Sequence, residues 1–268
     1  MTFPLELWII FGISALCGSV GFYRWTWFSS IGYGLSVAAC GTILWVLFRG
    51  EMGRAEFWAC MILIVFGLRL ALYLVLRERL SASFRRHRAG AAPGGHDQVD
   101  MGVRLMTWFG CTVLYTLMLA PICYRLVGDA AESGTVIAGV CVMAAGVLLE
   151  AAADFSKAGQ KKKYPGEVCR RGLYRFVRCP NYFGEILLWT GVLLTGITSL
   201  RTPGQWIVSL LGYLGILLVM IGAARRLEII QNRKYGKDPR YQRYVRRVPI
   251  LIPLIPVRSL ERLPFPGK

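Results

Sequence analysis

Residues 172–189 read GLYRFVRCPNYFGEILLW, a run that passes from a basic loop into an apolar stretch while carrying Arg178, Asn181, Tyr182 and Glu185. Those four residues fall where a membrane helix would begin. Ionisable groups at membrane depth are costly and persist mainly where they face a protein interior or a wet cavity. The cluster is therefore a candidate site, and the apolar run behind it decides the fold class.

Working outward, the apolar residues come in long blocks rather than amphipathic stripes, and they make up 55% of the 268 residues. About 20 mostly apolar residues suffice to cross a bilayer. Seven such windows lie at roughly 4–23, 31–49, 56–76, 105–127, 134–153, 181–199 and 205–224. The expectation is an all-α polytopic membrane protein with seven transmembrane helices, folded over 1–268 as one integral membrane domain; its oligomeric state stays open, a monomer being compatible with the sequence. Within it, 1–80 carries spans one to three, 81–104 is a loop, 105–224 carries spans four to seven, and 225–268 is a tail that opens with a separate short charged helix broken at Gly236 and Pro239. The aromatic content of Tyr235, Tyr241 and Tyr244 exceeds what a solvated tail needs and implies that it folds back onto the protein.

The Lys and Arg residues behind the net charge of +17 are concentrated in 77–104, 157–178 and the tail after 225. Short loops rich in Lys and Arg stay cytoplasmic. Seven spans place all three segments on that side, with the N-terminus outside and the C-terminus cytoplasmic. No soluble module is left to present this charge to nucleic acid, so membrane lipid is the expected partner of many of these cations. The N-terminal segment lacks a basic n-region and is followed by further spans, so it reads as the first helix and not as a signal peptide. Eight scattered cysteines without CxxC spacing indicate neither a disulfide framework nor a zinc site. His87 and His96 sit nine residues apart in a loop, and no metal site is expected.

Two further groups carry chemistry. Arg69, Tyr73 and Arg77 follow an i, i+4, i+8 spacing that stacks them along one helix stripe. Arg69 lies about two turns inside its apolar window and needs an anionic partner, either a carboxylate or a ligand phosphate. Glu150 and Asp154, one turn apart, precede Lys157 and Lys161–Lys163. With the NYFGE cluster they offer carboxylates for ribose or amide groups and cations for phosphates. There is no GxGxxG after a strand and no P-loop, so any nucleotide site must be built from helix ends.

The run from Asp154 through Lys161 to GLYRFVRCPNYFGEILLW, with Tyr241, Tyr244 and the PILIP of the tail, resembles the membrane-embedded steroid 5α-reductase family, strongly over 150–256 and more weakly before. The resemblance implies seven helices, NADPH in a cavity of the C-terminal spans, and reduction of a carbon–carbon double bond conjugated to a ketone in a lipophilic substrate such as a steroid or sterol. It implies cofactor contacts from Asn181 and Glu185 of the NYxGE motif, from Asp154 and Glu150, from Lys161 toward the phosphates, and from Arg69, Tyr73 and Arg77. Arg178, Tyr182, Arg225, Arg226, Glu228 and Tyr241 complete the candidate set. Two departures stand out: Cys179 occupies the histidine position of an RHPNY motif, and no carboxylate follows Trp27 and Phe28. Phe66 falls where the family has a substrate tyrosine. Tyr33 is then the candidate donor to the ketone oxygen, the alternative for a tyrosine near a helix start being an interfacial anchor.

Two other readings stay open. The pattern Glu228, Tyr235, Gly236, Tyr241 and Tyr244 is also similar to isoprenylcysteine carboxyl methyltransferases, which implies S-adenosylmethionine. A non-catalytic lipid-binding membrane protein is the third.

Overall fold

A computed structural model describes residues 3–80, 99–128 and 133–262. The expected loop 81–104 falls largely outside the described residues, as do His87, His96 and part of the 128–133 connection. Among the described residues every regular element is helical. We number the α-helices α1 (Leu5–Gly18), α2 (Ile31–Phe48), α3 (Arg54–Leu80), α4 (Met101–Val127), α5 (Gly134–Lys163), α6 (Pro180–Gly196), α7 (Pro203–Tyr235) and α8 (Pro239–Arg247).

Among the described residues, six stretches are long and apolar enough to cross a membrane: Leu5–Phe22, Trp25–Phe48, Arg54–Arg79, Met101–Val127, Gly134–Lys163 and Pro203–Tyr235. The chain is thus an integral multi-pass membrane protein. The remaining expected span, 181–199, is built as the 17-residue α6 and a 3₁₀ turn at Ile197–Ser199. At 1.5 Å per residue α6 is about 26 Å long, against a hydrocarbon core of about 30 Å. By contrast, α7 has 33 residues and carries the charged segment 225–235 as its own continuation, not as a separate short helix. It ends where a Cβ at Gly236 would strike the Asn232 carbonyl. Asp238 then caps α8 by accepting from the Arg240 amide at 2.8 Å.

The described residues divide into two compact units, 1–140 with 192–213, and 141–191 with 214–268. In the first, α2 and α3 pack through small residues. A Cβ on Gly34 would lie 2.8 Å from the Gly67 carbonyl oxygen and 3.2 Å from the Ala71 Cβ. Without a hydrophobic drive between helices in lipid, such close backbone approach is a main source of association. Tyr115 of α4 donates to the Phe28 carbonyl at 2.7 Å, and Trp108 donates to the Ala15 carbonyl at 2.9 Å. The same unit holds a buried ion pair absent from the sequence reading. Arg125 Nε donates to Glu56 Oε1 at 2.8 Å, and Arg125 Nη1 donates to the hydroxyls of Thr198 and Ser199 at 3.2 and 3.4 Å.

In the second unit α5 and α6 cross on a glycine pair. A Cβ on Gly184 would lie 2.7 Å from the Gly146 carbonyl oxygen and 2.8 Å from the Glu150 nitrogen. Overpacking of this kind costs about 1–3 kcal/mol. Gly184→Ala is therefore expected to lower the thermal unfolding temperature in detergent, whereas Gly159→Ala on the same α5, where the added methyl meets nothing within 4 Å, leaves it unchanged or raised.

Candidate cofactor site

The Gly146–Gly184 crossing positions the candidate residues of the second unit. Gly184 lies between Asn181 and Glu185, and its backbone touches that of Glu150, so the acidic end of α5 meets the first turns of α6. Glu150, Asp154 and Glu185 are buried, at 4%, 8% and 7% exposure, while Asn181 and Tyr182 are half-buried. Three carboxylates held this far from water on two crossing helices give the unit a concentration of acceptors that its apolar surroundings cannot explain.

The approach to α6 is fixed from the tail. The Arg178 and Cys179 amides donate to the carbonyls of Pro249 and Ile250 at 2.9 and 3.0 Å. Arg178 Nη2 donates to Glu228 Oε1 at 2.8 Å and to the Arg258 carbonyl at 2.7 Å. Glu228 Oε2 accepts from the Leu260 amide at 2.8 Å. Arg178 and Glu228 are 3% and 2% exposed, so this is a buried ion pair joining the mouth of α6, the end of α7 and the tail. Among the described residues Arg178 Nε and Nη1 make no hydrogen bond of ordinary geometry, and the Tyr241 hydroxyl interacts with the same guanidinium. The tail is accordingly ordered onto the start of α6, as its tyrosines implied.

The other candidates of this unit are engaged as follows. Lys161 Nζ donates to the Glu167 carbonyl at 2.6 Å and to the Tyr235 hydroxyl at 3.2 Å, and it lies 5.6 Å from the Tyr235 ring centroid. Arg225 reaches the Glu261 carbonyl at 3.3 Å, and Arg226 is exposed. Tyr241, 2% exposed, donates to Asn232 Oδ1 at 2.6 Å, and Asn232 Nδ2 donates to Glu261 Oε2 at 2.9 Å. Burial pushes the Tyr241 phenol up more than the nearby Arg178 charge lowers it, so it stays a protonated donor. Tyr244 donates to the Tyr174 carbonyl at 2.6 Å, and its phenol is likewise pushed up by burial. Burial also raises the Cys179 thiol to about 12, which makes it a neutral packing group rather than a thiolate.

The first unit holds the remaining candidates. Arg69 and Tyr73 are half-buried on α3, and the exposed Arg77 guanidinium stands 5.8 Å from the Tyr73 ring centroid. Tyr33 is 6% exposed, with its ring 5.2 Å from that of Tyr115 and 6.1 Å from that of Phe66. A carboxylate of α3 lies against this segment: Glu78 accepts from Trp27 Nε1 at 3.1 Å and from Arg24 Nη1 at 2.8 Å. Sequence reasoning passed over Glu56, Arg125, Glu78 and Asn232. The available signal for the first two was opposite charges at the edges of two apolar windows.

Over 57 residues, 20% of its length, the chain is 40% identical to steroid 5-alpha-reductase DET2 of Gossypium hirsutum, and it covers only 22% of that relative. No solved structure matches it. A family model described as "Protein of unknown function (DUF1295)" matches residues 11–248, which take in nearly all of the helices above. The chain belongs to the DUF1295 family, which contains steroid 5α-reductase-like proteins.

Proposed function

We propose that the protein is a membrane reductase that uses NADPH to reduce a carbon–carbon double bond conjugated to a ketone in a lipophilic substrate, a 3-oxo-4-ene steroid or sterol. The observation that carries this reading is the Gly146–Gly184 crossing, which gathers buried Glu150 with Asn181 and Glu185 at one helix mouth. The residues suit the cofactor. Carboxylates accept from ribose hydroxyls and a carboxamide NH₂, and Asn181 can donate as well as accept. Lys161, with three N–H bonds and two acceptors in place, keeps one donor for a phosphate.

When bound, NADPH supplies the hydride. The chain's part is orientation, exclusion of water and stabilisation of charge on the ketone oxygen. A donor whose hydrogen bond strengthens as that charge develops lowers the barrier. Tyr33, buried among Phe66 and Tyr115 in the first unit, takes this role in our reading. In the membrane, α6 serves as the sixth of seven spans, with the N-terminus outside and the C-terminus cytoplasmic. The competing reading, methyl transfer from S-adenosylmethionine, needs a replacement for the histidine whose place the buried Cys179 takes.

Titration of the purified protein with NADPH is expected to raise its unfolding temperature, and S-adenosylmethionine to leave it unmoved. Stabilisation by the methyl donor alone would overturn the reading. Asn181→Ala and Glu185→Ala should each remove NADPH-dependent conversion of a 3-oxo-4-ene steroid, followed by product mass, by at least 100-fold, since groups oriented toward the transition state contribute about 10²–10³. Unchanged turnover in both variants would place the site elsewhere.

A further inference from the structure

The tail after α8 contains a feature that neither the ion pairs nor the proposed reduction uses. Residues Ile250–Val257, ILIPLIPV, carry no polar side chain. They nevertheless form a closed loop: the Ile250 amide donates to the Val257 carbonyl at 2.9 Å, and the Ile255 amide donates to the Ile252 carbonyl at 3.2 Å. At its base, the Pro249, Ile250 and Arg258 carbonyls are those that accept from Arg178 and Cys179. Its apolar surface is bare: Leu254 at the tip is 95% exposed, and Ile255 and Val257 are 46% and 42% exposed. Pro253 and Pro256 stiffen the loop, so its apolar side chains are held out instead of collapsing onto the protein.

Charge lies on both sides of this loop along the chain. Arg240, Arg243, Arg246 and Arg247 are exposed on α8, whose opposite edge is sunk through Tyr241, and Arg258 is exposed on the far side of the loop. Between Pro239 and Leu260 there is no acidic residue. A rigid apolar tip flanked by five arginines is complementary to one kind of surface, in which acyl chains lie beneath a sheet of negative headgroups. A protein partner would have to match both the charge and the tip, whereas the bilayer is already beside a multi-pass chain.

We propose that the 250–257 loop is a membrane wedge, inserted at Leu254 into the interface of an anionic leaflet and held there by the arginines of α8 and by Arg258. The proposal stands independently of the reductase reading.

The test uses the full-length protein in nanodiscs of phosphatidylcholine, with or without phosphatidylglycerol. A nitroxide is attached at Leu254→Cys, and labelled wild type serves as the background for the native cysteines. Collision with dissolved oxygen against collision with an aqueous nickel chelate reports depth. The expected result is a label shielded from the chelate and open to oxygen, with the ratio rising when phosphatidylglycerol is present. The joint Arg240→Gln, Arg243→Gln, Arg246→Gln and Arg247→Gln variant should lose that rise while keeping its unfolding temperature. A label equally open to the chelate in both lipids overturns the proposal. So does dipolar broadening between labels on two copies, which would make the loop an interface between copies of this chain.

Discussion

Arg178→Ala is expected to destabilise the protein by about 3–5 kcal/mol, because it leaves the Glu228 carboxylate buried with the Leu260 amide as its sole remaining donor among the contacts described. For a chain of this size that corresponds to a fall in unfolding temperature on the order of 10 °C, measured by a thermal melt in detergent. Glu228→Ala should cost as much, since it strands the Arg178 guanidinium. Removing both charges together, as Arg178→Met with Glu228→Met, should cost less than either single change, because a buried pair is often replaced by apolar groups at little cost. Additive losses in the double variant would show that the two residues do not act as a pair. The effect should also reach beyond stability. Arg178 lies one turn before Asn181, and its backbone and side chain hold Pro249 and Arg258, so the single variants should weaken NADPH stabilisation as well.

Arg125→Ala is expected to have a comparable effect in the other unit, about 3–5 kcal/mol, through the stranded Glu56. Arg125 is 1% exposed and ties the start of α3 to the end of α4 and to the Ile197–Ser199 turn. Its planar fork contacts a carboxylate and two hydroxyls at once, which a lysine ammonium cannot reproduce with the same geometry. Arg125→Lys should therefore recover part of the loss but not all of it, again read from unfolding temperature. Full recovery would mean that charge alone matters at this position.

The residues of 172–189 could be read as a site because ionisable side chains inside an apolar run are out of place on energetic grounds alone. What they pair with could not be read. Glu228 lies 50 residues from Arg178, and the Arg258 carbonyl lies 80 residues away, distances that only the fold closes. The Glu56–Arg125 pair, 69 residues apart, was invisible for the same reason, each charge passing as the edge of a span. The charged end of α7 was read as a separate helix because hydropathy falls after Ala224. Hydropathy is not a breaker, however, and the backbone continues to Gly236, where the helix terminates. For Tyr33, a position near a helix start suggested either an interfacial anchor or a substrate donor. Its ring packing with Phe66 and Tyr115 could not be foreseen, because three helices contribute to it. Glycine positions were the least legible of all, since Gly146 and Gly184 look like ordinary small residues until their backbones are seen to touch.

That backbone contact limits how the mouth of α6 can move. With no side chain between Gly146 and Gly184, the helices cannot slide along each other without driving a carbonyl into Glu150 on one side or Leu188 on the other. The register of α6 against α5 is thereby set by backbone atoms and depends on no side-chain rotamer, and Asn181 and Glu185 inherit that register from Gly184.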